Sequence, residues 1–228
     1  MKNMTDSFIQ SKIMDNYVKD RLNREWIKCL KNVCIQESLH TGIYPSVTVG
    51  IAILESFFGT SELAVNHYNF FGMTMHPCLL GNTITFWDGM NYTGAKVDGD
   101  ICYADYTQAG DYGRGFLMSL RHFGFNFWAT PQYGCTGVLN HISSGLTQEE
   151  ARNDAIKQLI ELQPIYDPHE ELEGDFIYTR DVMTLIDQYD LWEYDKRFLE
   201  LGGWNGKVPY YFNHHNNGSR NHHAPDTL

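Results

Sequence analysis

What this chain has little of sets the first limits. No stretch approaches the ~20 consecutive apolar residues that span a bilayer. The opening stretch, Met1 to Asn16, is polar, without the apolar core or small-residue cleavage site of a secretory leader. Neither membrane insertion nor a cleaved leader is expected. Basic residues are scarce: Lys and Arg total 17 against 28 Asp and Glu, for a formal net charge of -11. A surface of that sign repels phosphate backbones and anionic lipid, which excludes nucleic acid as an expected partner. Cysteine is sparse and unpaired in pattern. The five residues, Cys29, Cys34, Cys78, Cys102 and Cys135, are odd in number and form no CxxC. They read as thiols of a protein made in a reducing cytosol, with no zinc site among them. Ten histidines are present, yet none forms HExxH, and His169-Glu170-Glu171 lacks the second His. Phosphate-cradling loops, a Gly-x-Ser-x-Gly elbow and a recognisable Cys/His protease signature are absent too. No metal and no cofactor are expected.

What is there is a core-forming sequence. The 228 residues are 43% hydrophobic and 14% aromatic, enough for a sizeable core. The aromatic surplus fits either a ring-rich core or a groove that grips sugars. Ser11 to Leu39 reads as a long amphipathic helix, with Val18, Leu22, Trp26, Leu30 and Val33 at three- and four-residue steps and Gly42 as its stop. Pro45-Ser46 starts a second helix, with Ser46 as N-cap and Val47, Ile51 and Leu54 as its buried stripe. It ends near Phe57 to Gly59, and Thr60 or Ser61 caps a short helix through Ala64. From Asn82 to Tyr106 the chain turns to Thr, Ile, Phe, Tyr and Gly, with turn signals at Asp88-Gly89 and Asp98-Gly99, which predicts a β-hairpin or small β-lobe. Helical signals resume after Gly115. Thr147, three residues before Glu150, opens a helix to Leu162 with a capping box, and a last helix is predicted from about Phe176 to Tyr189. Beyond Leu201 the composition shifts to Gly, Asn and His. The organisation expected is one domain over residues 1–200 and a partly flexible extension over 201–228.

One segment carries chemistry. Glu55 closes an otherwise apolar helix and adjoins Phe57 and Phe58. A carboxyl in such surroundings is desolvated when ionised, so its pKa rises. A carboxylic acid still protonated near neutrality can give its proton to a glycosidic oxygen. An isolated Glu after an apolar run is also a common solvated helix end.

The wording of this segment decides between the two. Tyr-Pro-Ser at 44–46, then Leu-Glu-Ser-Phe-Phe-Gly-Thr-Ser-Glu-Leu-Ala at 54–64, resembles the signature of the glucosaminidase domain, family 73 of the glycoside hydrolases, whose pattern runs close to "LPS-hydrophobics-LESgWGtSxLA". Phe58 stands where the family has Trp. Asn69-Phe70-Phe71-Gly72-Met73-Thr74 resembles the family's "NlFGiK", Tyr103 to Tyr106 sits where "FRkY" is usual, and Tyr178 through Asp195 resembles the closing "YaxKl...iIxxYxLxxYD". The likeness spans about Phe8 to Asp195.

The resemblance implies a mainly α, lysozyme-like fold: a helical body and a small β-hairpin lobe flanking a substrate cleft. It implies an endo-β-N-acetylglucosaminidase acting on peptidoglycan glycan strands, with Glu55 as general acid. Residue by residue, Asn69, Phe70 and Phe71 match the motif lining the cleft, and Phe58 and Tyr106 join them as expected substrate contacts. The family's functional tyrosine finds its nearest match in Tyr166 of Tyr166-Asp167-Pro168, before an acidic insertion at 169–174. The second carboxylate lies on the family's hairpin. Asp88 is the choice here, with Asp98 and Asp100 as rivals and with a plain turn residue as the other reading of an Asp-Gly pair. Trp87 and Trp128 are further rings that either stack on sugar or pack in the core.

Three functional alternatives stay open at this level: the glucosaminidase, a muramidase or lytic transglycosylase on the same scaffold, and a non-catalytic wall-binding virion component. A wall-directed motif without a leader suggests a phage lysin, released by a holin or carried on the virion, with virion or lysin-complex partners.

Overall fold

The structure is a computed structural model and describes residues 2–75, 83–85, 91–98, 101–129, 147–166 and 177–204. Helix α1, Lys2–Thr41, is longer at both ends than its apolar periodicity indicated. It stops at Gly42, whose positive φ of 76° turns the chain and whose N–H reaches the Ser38 carbonyl at 2.8 Å. Helix α2, Pro45–Ser56, follows after a short link. Gln158 holds that link from the far side of the core: its Oε1 accepts from the Tyr44 N–H at 2.9 Å and its Nε2 donates to the Gly42 carbonyl at 2.9 Å.

Every residue of α2 from Pro45 to Ile53 is buried. A helix that is apolar on all sides belongs in the middle of a bundle, and α2 is surrounded there. It contacts α1, α5 (Gln148–Tyr166), α6 (Ile177–Gln188) and α7 (Trp192–Glu200). Proline at its first position removes an N–H that would have had no partner. The expected cap is corrected: Tyr44 occupies the N-cap position, and the Ser46 side chain makes no capping bond. The partner is instead Asp195 of α7, whose Oδ1 accepts from the Ser46 N–H at 2.9 Å. Carboxylate at a helix N-terminus is the favoured charge.

The small β-lobe expected forms, with four strands among the described residues: β1 (Thr74–Met75), β2 (Thr83–Thr85), β3 (Asn91–Asp98) and β4 (Ile101–Asp105), antiparallel in the order β1-β4-β3-β2. Thr74 pairs with Tyr103, and Thr93 with Asp105, while a register shift interrupts β3 between Lys96 and Asp98. Helix α3 (Glu62–His67) leads into this sheet and α4 (Tyr112–Ala129) leads away from it. Ser61 is the cap of α3, its Oγ accepting from the Ala64 N–H at 3.2 Å. The capping box of α5 forms as expected: Thr147 Oγ1 accepts from the Glu150 N–H at 3.2 Å and Glu150 Oε2 from the Thr147 N–H at 2.8 Å.

The last predicted helix, about Phe176 to Tyr189, forms as α6, and a further helix, α7, follows it. Helix α6 ends at Gln188, Asp190 takes φ 53°, and α7 starts at Trp192. Aromatic residues tie the sheet side to the helices. Phe71 stacks on Phe123 with ring centroids 4.8 Å apart, and Phe70 meets Phe116 edge-on at 5.1 Å. The fold class expected from the sequence holds as a mainly helical body with a small antiparallel sheet. Of the cysteines, Cys29 is exposed, Cys34 and Cys102 are buried, and Cys78 and Cys135 lie outside the described residues, as do residues 205–228. No described helix is long and apolar enough to cross a membrane.

Candidate active site

The end of α2 is built as a tight left-handed turn. Phe57, Phe58 and Gly59 take φ of 48°, 58° and 72° in succession. Left-handed backbone costs an L-residue roughly 1–2 kcal/mol, so the turn must be held from elsewhere. Ser56 does much of this: its buried hydroxyl donates to the Ala52 carbonyl and accepts from the Gly59 N–H at 2.8 Å. Its carbonyl takes the N–H groups of Thr60 and Ser61 at 3.0 and 2.9 Å. Gly59 has no room for a side chain: a Cβ there would lie 2.2 Å from the Tyr112 hydroxyl and 2.5 Å from Trp26 Nε1. Those two groups are bonded to each other at 3.2 Å, and Tyr112 donates to the Gly59 carbonyl at 3.1 Å. The Leu-Glu-Ser-Phe-Phe-Gly wording is thus a device for stopping a buried helix abruptly, with Glu55 in its last turn.

Glu55 is mostly shielded from water, and burial pushes its carboxyl pKa up from 4.5 to about 7. One group opposes the shift. Tyr178, in the first turn of α6, donates its hydroxyl to Glu55 Oε1 at 3.0 Å. The other oxygen faces the Asn69–Met73 loop, where Gly72 has φ 62° and a Cβ would stand 3.1 Å from Oε2. The missing side chain at residue 72 leaves space beside Oε2. With Oε1 accepting from the phenol, Oε2 is the oxygen left to carry the carboxyl proton, on the side that Gly72 keeps open. In the sequence Tyr178 stands out only as part of the closing motif. The match of Tyr166-Asp167-Pro168 to the family's tyrosine motif points to Tyr166 instead, and the signal for Tyr178 is its place in the first turn of a helix that packs on α2.

The other expected site residues fall into two groups. Asn69, Phe70, Phe71 and Tyr106 are essentially inaccessible, at 1%, 0%, 0% and 0% exposure. Direct contact with a substrate is corrected for all four, because their polar atoms and ring faces are already used inside. Asn69 Nδ2 donates to the carbonyls of Met73 and Ala104 at 2.8 and 3.0 Å, and its Oδ1 accepts from the Met73 N–H at 3.0 Å. It therefore shapes the loop carrying Gly72 and fastens it to β4. The Phe70 N–H is taken by Ser119 Oγ at 3.0 Å. Tyr106 has its hydroxyl 2.6 Å from Nδ1 of His122, an imidazole that burial drives down to about 4 and so keeps neutral. Phe58 is half-buried, its ring edge-on to both Trp26 and Tyr189 at 6.2 and 5.4 Å, so its stacking partners are protein rings. In the second group, Asp88, Asp100 and Trp87 lie outside the described residues, as do the side chains of Asp98 and Trp128. Tyr166 is the last residue of α5, and its side chain is likewise outside the description.

A carboxylic acid whose pKa lies near neutrality, in the last turn of a buried helix and beside an open space, has the chemistry that a glycoside hydrolase requires of its general acid. The comparisons with known proteins give the family. The chain belongs to the glucosaminidase family: residues 31–191 match its profile, described as mannosyl-glycoprotein endo-beta-N-acetylglucosaminidase. The match takes in Glu55, Gly72, Tyr178 and the turn between them. No curated protein matches the chain. Among solved structures, the catalytic domain of the autolysin Auto from Listeria monocytogenes is similar to it, with 21% identity and a TM-score of 0.48, covering 81% of this chain and 97% of that one.

Proposed function

We propose that this protein hydrolyses the β-1,4 bond following N-acetylglucosamine within peptidoglycan glycan strands, with Glu55 as the general acid. The observation that carries the reading is the Glu55 carboxyl, raised to about 7 and, among the described residues, hydrogen-bonded on one oxygen only. Glu55 Oε2 delivers its proton to the glycosidic oxygen as the bond to the anomeric carbon breaks, and the resulting carboxylate is stabilised by the Tyr178 hydroxyl. Water then adds at the anomeric carbon by one of two routes. In the first, a carboxylate of the β-lobe, with Asp88 as the candidate, acts as base across a gap of roughly 6.5–9.5 Å and the configuration inverts. In the second, the substrate's own 2-acetamido group attacks first and water opens the intermediate. Tyr166 is the candidate for orienting that acetamido group. Residues 1–200 form the catalytic unit in this reading and 201–228 an extension of it.

The test is digestion of purified peptidoglycan by wild type and Glu55→Gln, with mass spectrometry of the reduced fragments. New reducing N-acetylglucosamine ends from wild type alone are expected. Reducing N-acetylmuramic acid ends would make the enzyme a muramidase, and 1,6-anhydro ends a lytic transglycosylase. No cleavage of several wall types would leave a wall-binding module. The expected setting, a phage lysin released by a holin or carried on a virion, is tested by co-expression with a holin. Lysis should require both proteins, and a culture that stays intact would remove release by a holin.

A further inference from the structure

The two phenylalanines that follow the acid's helix are treated differently by the fold. Phe58 is packed between Trp26 and Tyr189. Phe57, immediately before it, is 70% exposed. Among the described residues its ring has no aromatic neighbour, and its backbone sits at φ 48° and ψ 55°. The conformation is pinned, because the Phe57 carbonyl accepts from both the Thr60 N–H at 3.3 Å and the Thr60 hydroxyl at 2.6 Å. Its own N–H bonds to the Ile53 carbonyl. These bonds fix the direction in which the Phe57 Cβ leaves the turn. Glycine, asparagine or aspartate satisfies such a backbone with less strain and without placing an apolar ring in water. Phe58 takes the same strained backbone and uses its ring inside the fold, whereas Phe57 takes it and leaves its ring in water.

We propose that the Phe57 ring is a sugar-stacking platform of the glycan cleft, binding a pyranose next to the bond that Glu55 protonates. The inference rests on the glycosidase reading given above. Two residues of chain span at most about 7 Å, so the ring is anchored within one sugar's reach of the acid. A pyranose with equatorial substituents presents C–H bonds on both faces. These carry a partial positive charge and meet the negative face of an aromatic ring, while burial of the two apolar faces adds to the contact. The exposed ring is thus a surface for a neutral, ring-shaped ligand. It also supplies affinity without charge in a chain whose net charge is -11 and whose polymeric substrate is anionic.

Phe57→Gly tests this directly, because glycine relieves the backbone and removes only the ring. Two measurements are paired. Calorimetric titration of an N-acetylglucosamine tetramer is made on Glu55→Gln with and without Phe57→Gly, where no turnover interferes. Turnover of purified peptidoglycan is measured on wild type and on Phe57→Gly alone. The expected result is about tenfold weaker binding, the ratio carried by ~1.4 kcal/mol. KM should rise by a similar factor and kcat stay within about twofold, while the Tm of Phe57→Gly does not fall. Phe57→Trp should keep wild-type affinity, and Phe57→Asn should behave like the glycine variant. Equal affinity with and without the ring, or no tetramer binding by either protein, overturns the proposal. Absence of turnover by wild type overturns the hydrolase reading alone, and the tetramer titration still decides Phe57.

Discussion

Replacing Glu55 by glutamine should abolish cleavage and, above neutral pH, make the protein more stable. In the unfolded chain this carboxyl titrates near 4.5, and in the folded protein burial raises it to about 7. Below pH 4.5 both states are protonated and the residue's contribution is complete. Between pH 4.5 and 7 the unfolded state releases its proton while the folded state keeps it, so stability is lost as pH rises. Above 7 the loss levels off. A shift of that size corresponds to about 3 kcal/mol at most, at 1.36 kcal/mol per pH unit. Partial access of water to Glu55 reduces this, so roughly 1–2 kcal/mol is the expected gain for Glu55→Gln at pH 8. Glutamine keeps the acceptor for Tyr178, so that hydrogen bond survives the exchange. The assay is urea unfolding of both proteins at intervals from pH 4 to pH 8.5. Asp195, whose carboxyl is also raised to about 7 by burial, titrates in both proteins and cancels in the difference. The stability gap should be near zero at pH 4 and open through the interval up to 7. A gap that is constant with pH would refute the assignment of Glu55 as a desolvated acid.

Tyr178→Phe removes the one group that lowers the Glu55 pKa, so the alkaline limb of the kcat/KM profile should move to higher pH. kcat should fall by about tenfold through loss of a charge-assisted hydrogen bond, and an unmoved limb would show that the phenol does not act on the acid. Asp195→Ala should cost about 1–2 kcal/mol by uncapping α2. Asp195→Asn, which keeps an acceptor without a buried charge, should be neutral at pH 7, and thermal unfolding of the pair checks both.

Much of this was legible in the residues because local rules agree with the fold. Proline at the first position of α2, the Thr147 and Glu150 capping box and the apolar step of α1 are short-range signals that tertiary contacts reinforce. The acid was legible for the same reason, since Glu55 is the only ionisable residue in α2. What escaped depends on distant partners. Nothing near Ser46 says that Asp195 will cap its helix, and nothing in Ile186 to Asp195 marks the left-handed residue at 190 after which a further helix begins. The motif also reads the same whichever of Phe57 and Phe58 points outward, because that choice is made by three successive positive φ angles. The buried members of the Asn-Phe-Phe-Gly motif likewise look like surface contacts until Asn69 is seen spending its amide on Met73 and Ala104.

The bond between Ser46 and Asp195 joins residues 149 positions apart. The helix that carries the acid is therefore completed only by chain made long after it. A ribosome that has released Glu55 has not yet released its cap, and closing so large a loop is among the slow steps of folding. During synthesis the acid's helix is without this anchor, so the hydrolase should acquire activity late and all at once. Asp195 also lies beyond residue 191, where the family match ends. A fragment cut at that boundary would carry every residue of the proposed chemistry and lack the carboxylate that holds the acid's helix at its far end.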